Sequence, residues 1–342
     1  MKKVLVLGEM LMRLTPPNNN KIGQANSFNV CFGGAEVNVA VGLSNLGIET
    51  RVLTALPDNE IGNFAKSFLK SQYVDCDFII SKGDRLGLYY YEEGCSARKA
   101  KVVYDRKHSS ITELQYEDID VESLFKDVEL LHISGITFGL SEEVSEVALK
   151  LVNEAKKRGI KISVDLNYRS KLFESYEEFV RIMKPVVQDA YLCFGWLNRE
   201  DEPFKVLDAS TTELSDEDFI ERFRYTIEDL KVKNIVTTLR SGTPYNYHTL
   251  QGVFYDGERV YKSSKYDFSM ISRIGGGDAF AAGVIRTLIE NKGEDLSHVI
   301  EFGTAAAVLK QTQLGDVSIS SKEEVLDLSL IHISEPTRPE PI

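Results

Sequence analysis

The fold class follows from two short apolar runs, Glu129-Leu-Leu-His-Ile-Ser-Gly-Ile136 and Ile160-Lys-Ile-Ser-Val-Asp165, and from the segment that joins them. Each run has the length and composition of a buried strand. Between them, Ser141 is a helix N-cap and Gly159 a helix stop. The apolar residues of this segment recur at helical spacing, as Val144, Val147, Ala148, Leu151, Val152 and Ala155. The pattern is a β-α-β unit, which predicts a parallel sheet with right-handed crossovers and helices on its faces.

The same alternation of strands and helices continues on both sides of this unit. Strands are predicted at Val4–Gly8, Arg51–Leu56 and Asn234–Leu239, and helices over Glu36–Leu46, after Asp278 and after Glu301. We therefore expect an α/β fold in three layers, α/β/α, with a mainly parallel central sheet. Residues 1–328 are predicted to form this one domain.

Two stretches interrupt the alternation, Glu9–Phe32 and Leu86–His108. They are rich in Tyr, Val, Asn, Gly and charged residues and lack helical periodicity, which indicates short strands. We predict that residues 9–32 and 86–108 form a small β-sheet lid. An exposed sheet of this kind can pair with that of a second copy, so the expected assembly is a homo-oligomer through the lid.

The last residues, Ser329–Ile342, contain Pro336, Pro339 and Pro341 and match no packed element. We predict a disordered tail over residues 329–342. This tail resembles translated library-adapter sequence, so its native origin is open and we leave it out of the fold.

Composition and charge limit the class of function. The chain has 342 residues, of which 43% are hydrophobic and 27% charged, as in an ordinary globular protein. Its 40 basic and 52 acidic residues give a net charge of −12, so its average field repels nucleic acid and anionic membrane surfaces. We expect neither as a partner, and an anionic ligand must be bound by a local site.

The four cysteines, Cys31, Cys76, Cys95 and Cys193, are far apart and form no CxxC pair. This spacing argues against a zinc site or a disulfide framework and predicts buried, inert thiols in a reducing compartment. No apolar run reaches the roughly 18 residues that a membrane span needs. Glu9 cuts the N-terminal apolar stretch short, which is atypical of a signal peptide, so a cytoplasmic location is expected.

The most informative motif is a glycine run before a helix, Gly275-Gly276-Gly277-Asp278. Without Cβ atoms at three successive positions, the backbone N–H groups can point at one anion, aided by the positive end of the helix. This predicts a phosphate-sized pocket. Asp278 would repel a phosphate, so it needs another role. As a general base it would accept the proton of a substrate hydroxyl while the glycine amides hold the transferring phosphoryl group.

The same run is compatible with an ordinary helix start, in which Asp278 caps the helix and the glycines form a tight turn. A basic Asp278 cannot ionise an alcohol in advance, because the pKa of an alcohol lies far above that of a carboxyl group. The proton must then move late, in a loose transition state, and the base mainly orients the nucleophile. The sequence lacks GxxxxGK[ST] and has no GxGxxG after its first strand, which disfavours a P-loop and a nicotinamide site.

Two further motifs place polar residues where a ligand could bind. In Gly33-Gly34-Ala35-Glu36-Val37-Asn38, two glycines let a small ligand approach the backbone, with Glu36 and Asn38 in the first helical turn. An ordinary turn and helix start explains this stretch equally well. In Asp165-Leu166-Asn167-Tyr168-Arg169, period-2 spacing puts the three polar side chains on one side if the strand persists. Open α/β sheets bind ligands at the carboxyl ends of their strands, so we favour a site over strand-end solvation.

Together, the three motifs resemble the signatures of the ribokinase-like (PfkB) carbohydrate kinases. The motif that begins at Gly33, the run Asp165-Leu-Asn-Tyr-Arg169-Ser-Lys-Leu172 and the glycine run ending at Asp278 occur in the order expected of the family. The likeness covers Met1 to about Leu328. It implies a ribokinase-like fold with a β lid over the sugar, and transfer of the γ-phosphate of ATP to a hydroxymethyl group.

The resemblance also implies roles for individual residues. Asp278 would be the base, with Gly275, Gly276 and Gly277 as the anion hole. ATP and Mg²⁺ would be the cofactors, and the residues that match the nucleotide site of the family are Asn167, Arg169, Asn198, Thr238, Arg240, Gly242, Gly275 and Gly277.

Two elements depart from the pattern of the family. Asn198-Arg199-Glu200-Asp201 resembles the Asn-x-x-Glu element that supports magnesium and phosphate through water, but Asp201 is one methylene shorter than Glu. An indirect metal role for Asp201 is therefore expected only from the resemblance. Family members often carry Asp-Arg before the glycines, where this chain has Ser272-Arg273 and keeps only the cation.

Tyr89, Tyr104, Arg106 and Arg169 are the candidates for choosing the sugar. A guanidinium binds a carboxylate through two parallel hydrogen bonds, and tyrosines supply aromatic walls with a polar tip, which suits an acidic sugar. The lid runs around Tyr89 and Arg106 look most like those of 2-keto-3-deoxygluconate kinases. The predicted sugar-binding residues are Gly33, Gly34, Asn38, Tyr89, Tyr104, Arg106, Arg169 and Asp278.

Three functions are compatible with these residues. The leading one is phosphorylation of 2-keto-3-deoxygluconate on its terminal hydroxyl. If Arg106 and the tyrosines instead pack or pair with surface acids, a neutral sugar such as fructose or ribose is the alternative substrate. The third is a non-catalytic sugar-binding module on the same fold, although a pure binder gains nothing from a carboxylate aimed at the transferring phosphate.

Overall fold

Strands and helices alternate along most of the chain. The computed structural model describes residues 3–95, 97–199, 214–242, 247–291 and 295–334. The strands are β1 (Lys3–Leu7), β2 (Leu11–Thr15), β3 (Asn29–Gly33), β4 (Thr50–Leu56), β5 (Ile79–Ser81), β6 (Gly87–Glu92), β7 (Lys101–Asp105), β8 (Val128–Ser134), β9 (Lys161–Asp165), β10 (Leu192–Phe194), β11 (Ile235–Gly242), β12 (Tyr247–Tyr255), β13 (Val260–Lys262) and β14 (Tyr266–Ser269). The α-helices are α1 (Ala35–Asn45), α2 (Glu60–Ser71), α3 (Val121–Phe125), α4 (Gly135–Phe138), α5 (Glu142–Lys157), α6 (Tyr176–Val187), α7 (Asp216–Arg224), α8 (Gly276–Glu290), α9 (Ser297–Gln311) and α10 (Lys322–Ser334).

The central sheet has the strand order β13-β12-β11-β10-β9-β8-β1-β4-β5, and β14 pairs with β12. From β11 to β5 every neighbouring pair is parallel. The three strands β12, β13 and β14 add an antiparallel extension at one edge. The prediction of a mainly parallel sheet is confirmed, and the antiparallel extension is a feature that the sequence pattern had not indicated.

The predicted β-α-β unit is formed by β8, α5 and β9. The Ser141 hydroxyl caps α5 by accepting a hydrogen bond from the amide of Val144, at 3.3 Å. All six predicted apolar residues of α5 are buried against the sheet. In the sheet, Ser134 pairs with Asp165 and Asp165 with Phe194, so the carboxyl ends of β8, β9 and β10 lie side by side. This register places the polar end of β9 at the rim where a ligand can bind.

Two hydrophobic clusters cover the two faces of the sheet. Val4 and Val6 of β1 belong to one cluster, together with residues of α1, α8 and α9. Leu5 and Leu7 point to the other face and pack in the second cluster with residues of α5 and α6. Because successive strand residues face opposite sides, both phases of β1 must be apolar to be buried. The α/β/α arrangement in three layers is therefore confirmed.

A second, separate sheet has the order β3-β2-β6-β7. It is built from the two stretches that interrupt the alternation. Strand β2 lies inside residues 9–32, β3 extends one residue beyond them, and β6 and β7 lie inside residues 86–108. Strands β2 and β6 pair in parallel, which joins the two insertions into one sheet. The predicted small lid sheet is confirmed.

Two predictions need correction. Helix α10 runs to Ser334, and Ser329 is buried, so the tail does not begin at Ser329. Residues 335–342 lie outside the described residues. All four cysteines are free, but Cys95 is exposed and Cys31 partly exposed, so only Cys76 and Cys193 are buried as predicted. None of the helices in the described ranges combines the length and the apolar character needed to cross a lipid bilayer.

Candidate active site

A cavity of about 580 Å³ opens between the lid sheet and the carboxyl ends of the central strands. Ten of the residues proposed from the sequence line it, namely Gly34, Asn38, Tyr89, Tyr104, Arg106, Asn167, Arg169, Gly275, Gly277 and Asp278. They come from the three sequence motifs and from both insertions of the lid. The fold thus brings together residues that are far apart along the chain, such as Asn38 and Asp278, which are separated by 240 positions.

Asp278 lies in the first turn of α8 at the wall of this cavity. Its Oδ2 accepts a hydrogen bond from Nδ2 of Asn38 at 2.7 Å. Burial, together with the nearby carboxylates of Asp165, Glu36 and Asp316, raises the pKa of Asp278 to about 7 against the opposing effect of the Asn38 hydrogen bond. A carboxyl group whose pKa lies near neutrality can accept and release a proton at physiological pH, as a general base must.

The glycine run enters α8 through a left-handed residue. Gly275 has φ = +79°, and a Cβ atom there would collide with the carbonyl oxygen of Asp316, so only glycine fits. In the described part of the chain no acceptor takes the amides of Gly276, Gly277 or Asp278. Free amides at the positive end of a helix form an anion site, as the motif predicts.

The motif of β3 and α1 shapes the opposite wall. Gly34 has φ = +141°, and a side chain there would collide with the backbone of Glu9. Gly33 does not line the cavity as predicted; its missing side chain leaves room for the carboxylate of Asp316. Glu36 accepts hydrogen bonds from the Ser134 amide and hydroxyl, at 3.0 and 2.6 Å, which hold its carboxylate at the end of β8.

The end of β9 differs from the expected extended strand. β9 ends at Asp165, and Asn167 adopts a left-handed conformation with φ = +36°. The Asp165 carboxylate accepts a hydrogen bond from the Asn167 amide at 3.1 Å, and this turn explains how both residues reach the cavity without a continuing strand. Burial raises the pKa of Asp165 to about 6. Arg169 is exposed at the cavity rim, with no carboxylate within 4 Å among the described residues.

The lid contributes Tyr89, Tyr104 and Arg106. Tyr89 is buried and its hydroxyl donates a hydrogen bond to the Asp316 carboxylate, whereas Tyr104 is half exposed. The Arg106 guanidinium forms a forked ion pair with Glu9, with Nε at 2.7 Å from Oε2. Arg106 is therefore paired inside the cavity, not with a surface acid as the alternative supposed.

Sequence reasoning missed two acids of this site, Glu9 and Asp316. Both are buried and line the cavity. Glu9 also accepts a hydrogen bond from the Ser109 hydroxyl at 2.5 Å, and Asp316 forms an ion pair of 2.6 Å with Arg13. Burial raises the pKa of both carboxyl groups. Each is a single acid outside a motif, so only the placement of Glu9 directly after a buried strand could have indicated it.

The residues predicted for the nucleotide lie apart from this cavity. Thr238, Arg240 and Gly242 are on β11 and do not line it. Burial lowers the pKa of Arg240 to about 10, and the positive charge of the nearby Arg273, which lines the cavity, contributes to this lowering. Asn198 lines a different cavity of about 420 Å³ beside α7. Gly276 belongs to the glycine run but does not itself line the main cavity.

The sequence profile of the pfkB family carbohydrate kinases matches residues 1–323 of this chain. The chain belongs to this family. It is therefore a carbohydrate kinase. The three motifs that resemble the family signatures all contribute residues to the cavity between the lid and the sheet.

Individual relatives show which kinases of the family this chain is similar to. A 2-dehydro-3-deoxygalactonokinase of Haloferax volcanii is 29% identical over 325 residues, which are 94% of this chain and 95% of the relative. The crystal structure of a 2-dehydro-3-deoxygluconokinase from Thermotoga maritima superposes with a TM-score of 0.88 at 32% identity, covering 96% of this chain and 99% of that one. A putative ribokinase II from Escherichia coli in complex with ATP and Mg²⁺ shares the fold, with a TM-score of 0.76 at 18% identity over 96% and 99% of the two chains.

The magnesium expectation can be compared with the donors present in this pfkB kinase. The described residues include no group of three or more His, Cys, Asp or Glu side chains that could hold a metal ion. Glu200 and Asp201 lie outside the described residues. The described side chains therefore include no cage of three protein ligands, and Mg²⁺ would have to be held by fewer side chains together with the phosphates of the nucleotide.

Proposed function

We propose that this kinase transfers the γ-phosphate of ATP to the terminal hydroxyl of 2-keto-3-deoxygluconate. One observation carries the proposal: Asp278, the free amides of the glycine run and Arg169, which forms no ion pair within 4 Å among the described residues, line one cavity beneath the lid. Base, anion site and carboxylate receptor are the three groups that this reaction requires. The names of the two relatives that act on 2-dehydro-3-deoxy sugar acids support this substrate class.

In the reaction, the hydroxyl oxygen of the sugar forms a bond to the γ-phosphorus as the bond to the bridging oxygen of ADP breaks. The hydroxyl proton passes to Asp278, and ADP leaves with the electron pair of the broken bond. The hydrogen bond from Asn38 orients the Asp278 carboxylate, and the amides at the start of α8 stabilise the charge on the transferring phosphoryl group. Because the transition state is loose, Asp278 accepts the proton late.

Recognition of the sugar carboxylate is assigned to Arg169. Its guanidinium is exposed at the cavity rim and free of acidic partners among the described residues, so both of its parallel N–H groups can bind a carboxylate. Arg106 is already occupied by Glu9. Tyr104, half exposed in the lid and stacked against Arg106 at 5.5 Å, supplies the aromatic wall.

A neutral sugar is the second candidate substrate, and the Arg106–Glu9 ion pair favours it. This pair occupies Arg106, one of the two arginines that an acidic sugar would use beside Arg169. Carboxylates such as Glu9, Glu36 and Asp165 are good acceptors for sugar hydroxyl groups. A neutral hexose or pentose would therefore gain hydrogen bonds without the repulsion that a sugar acid meets.

ATP is proposed as the donor because two arginines extend the anion site toward β11. Arg273 lines the cavity directly before the glycine run, and Arg240 lies close to it. Two neighbouring guanidinium groups beside free amides suit the polyphosphate of a nucleotide. The roles of Thr238, Gly242 and Asn198 in nucleotide binding remain predictions, and Mg²⁺ is proposed as the counter-ion that ATP brings.

The experiment that tests this function is an ADP-release assay with a substrate panel. It should contain 2-keto-3-deoxygluconate, its C4 epimer 2-keto-3-deoxygalactonate, fructose, ribose and a nucleoside. We expect the highest kcat/KM for one of the two sugar acids. A preference for fructose or ribose would contradict the carboxylate assignment, and sugar affinity without ADP release from any substrate would identify a binding module.

We further propose that two copies associate through the outer face of the lid sheet. The cross-strand row Val30, Leu14, Tyr90 and Val103 places four apolar side chains across β3, β2, β6 and β7. Val30 and Val103 remain 45% and 41% exposed. The opposite face, which carries Arg13 and Tyr89, packs toward the cavity. A second copy that presents the same row would bury both, as in an isologous dimer.

A further inference from the structure

Lys310 is a buried cation outside the residues assigned so far. Its side chain is fully buried in the last turn of α9. The Nζ atom donates to the carbonyl oxygens of Gly315 and Gln313, at 3.1 and 3.4 Å. No carboxylate of the described residues lies within 4 Å of this ammonium group. A buried ammonium without an ion-pair partner is unfavourable, so its retention calls for a physical reason.

The Lys310 side chain packs directly beneath the glycine run. Its Cε lies 3.1 Å from the position that a Cβ atom on Gly275 would take. The end of α9 is also tied to the approach of this run, since the Gln311 carbonyl accepts hydrogen bonds from the amides of Ile271 and Ser272 at 2.8 and 3.1 Å. Lys310 itself does not line the cavity. Its ammonium group therefore lies behind the free amides, shielded from solvent.

The carboxylates of Asp316 and Asp278 favour the positive charge of Lys310, but neither forms an ion pair with its ammonium group. Asp316, the nearest acid in the loop after α9, is neutralised by Arg13 at 2.6 Å and by the hydrogen bond from Tyr89. The group Arg13, Asp316 and Lys310 carries a net charge of +1 when all three are ionised. Burial lowers the pKa of Lys310 to about 8, which still leaves most of the population charged at pH 7. An anion bound at the glycine amides would be the missing counter-charge.

We propose that Lys310 is a positioning residue for phosphoryl transfer. Its ammonium group holds the turn after α9 against Gly275 and adds a fixed positive charge behind the amides of Gly276 and Gly277. This charge stabilises the negative transferring phosphoryl group in a low-dielectric environment without contacting it. The proposal rests on the proposed function in one respect, the assignment of the glycine run as the phosphoryl site.

The purely structural alternative is that Lys310 only caps the carboxyl end of α9. A cap stabilises the fold but does not change the rate of a folded enzyme. The discriminating variants are Lys310→Met, which keeps the apolar stem and removes the charge, and Lys310→Gln, which keeps hydrogen-bond donors. Arg286→Met is the matched control, because Arg286 is a buried cation of α8 that caps a backbone carbonyl, of Leu46, far from the cavity.

We expect Lys310→Met and Lys310→Gln to lower kcat about 10- to 100-fold with less than about 3-fold change in the sugar KM. Arg286→Met should lower the melting temperature but leave kcat within about 2-fold. In Lys310→Ala, 50–200 mM methylammonium should restore part of the lost kcat, and tetramethylammonium, which is too large for the vacated space, should not. Rescue by a small cation is a result that a cap alone does not produce.

A folded Lys310→Met enzyme with unchanged kcat would overturn the proposal. Loss of the fold in both Lys310→Met and Lys310→Gln, together with no recovery of activity of Lys310→Ala in methylammonium, would also overturn it, because Lys310 would then serve stability alone. Failure of the proposed function is recognised separately, in a wild-type protein that releases no ADP with any sugar of the panel. Failure of this inference leaves the wild-type enzyme active and its Lys310 variants equally active.

Discussion

Asp278 is the general base of the proposed mechanism, and its ionisation should also affect the stability of the fold. A carboxyl group at the start of a helix is ordinarily favoured as an anion, because it faces the positive helix end. Here burial and three neighbouring carboxylates prevail, and the pKa rises to about 7. The site therefore holds a carboxyl group whose pKa is raised toward neutral pH, and Asn38 donates a hydrogen bond to it.

Replacing Asp278 by Asn should abolish turnover and preserve sugar binding. The amide keeps the shape and can still accept the hydrogen bond from Asn38, but it cannot take a proton. We expect kcat to fall by at least about 10³-fold while the dissociation constant for the sugar changes less than about 3-fold. ADP release and calorimetric titration measure the two quantities. Asp267→Asn, at an exposed position of β14, is the control, and retained turnover in Asp278→Asn would exclude the base assignment.

The raised pKa of Asp278 predicts opposite effects of pH on rate and on stability. Turnover needs the ionised carboxylate, so kcat should rise with pH through about 7. Between the unfolded pKa near 4 and the folded value of about 7, the native state binds the extra proton, so stability falls as pH rises through that window.

The Asp278→Asn variant isolates this contribution. Urea unfolding of wild type and variant at pH 5 and pH 8 gives a double difference that measures the titration of Asp278 together with its coupling to the neighbouring carboxylates. We expect the variant to gain about 1–3 kcal/mol relative to wild type between these two pH values. An equal change in both proteins would show that Asp278 titrates normally in the folded state.

Arg169→Lys should separate acidic from neutral sugars. A lysine keeps the charge but cannot form the two parallel hydrogen bonds that a guanidinium gives a carboxylate. We expect kcat/KM for 2-keto-3-deoxygluconate to fall by about 10-fold or more, and that for any neutral sugar used by the enzyme to change less than about 3-fold. Similar losses for both classes would contradict carboxylate recognition by Arg169.

Among single residues, the sequence indicated the cavity residues that belong to motifs but not the cavity acids that lie outside them. Asp278, Asn38 and Gly275 were found because chemistry demands those types at close spacing. Glu9 and Asp316 were missed because each is a single acid whose partners, Arg106 and Arg13, are distant in sequence. The partner of Arg106 depends on which strands pair in the lid, and no local pattern contains that information.

The turn between β14 and α8 leaves no room for a side chain at Gly275. Gly275→Ala would place a methyl group against the Asp316 carbonyl at a positive φ, and we expect a loss of about 2 kcal/mol or more in unfolding free energy. Gly277→Ala meets no atom within 4 Å and should leave stability unchanged or slightly higher.

Both glycine variants should lose activity. Gly275→Ala distorts the turn, and the methyl group of Gly277→Ala extends into the cavity where the phosphoryl group is proposed to bind. Thermal unfolding and ADP release distinguish the two cases. A Gly277→Ala enzyme that is as stable and as active as wild type would show that no phosphate approaches this amide.

Helices and strands were predicted correctly where the spacing of apolar residues and the capping residues indicate the same bounds. The β8-α5-β9 unit follows its predicted bounds within two residues, because Ser141 and Gly159 delimit a helix whose apolar face is regular. The antiparallel strands β12 to β14 were not predicted, since strand direction is set by the hairpin connection and by tertiary pairing rather than by composition. Asn167 illustrates the same limit, because its left-handed turn depends on the Asp165 side chain.

On the scale of the whole molecule, the outer row of the lid predicts the assembly. Val103→Asp places a charge in the apolar row and should convert a dimer into a monomer. Light scattering after size-exclusion chromatography measures the mass. Ile319→Asp, at a position 62% exposed outside the lid, is the control and should keep the wild-type mass. A wild-type protein of monomer mass would contradict association through the lid.

The acidic lining of the cavity has a consequence for the end of the catalytic cycle. Glu9, Glu36, Asp165, Asp278 and Asp316 all face the space in which the sugar is phosphorylated. A sugar acid enters with one negative charge and becomes a phosphate ester with nearly two more, while Asp278 gives up the proton it received. In the proposed reaction, the charge added to the ester is repelled by Glu36, Asp165 and Asp278, which have no ion-pair partner among the described residues, and we expect this repulsion to hasten product departure.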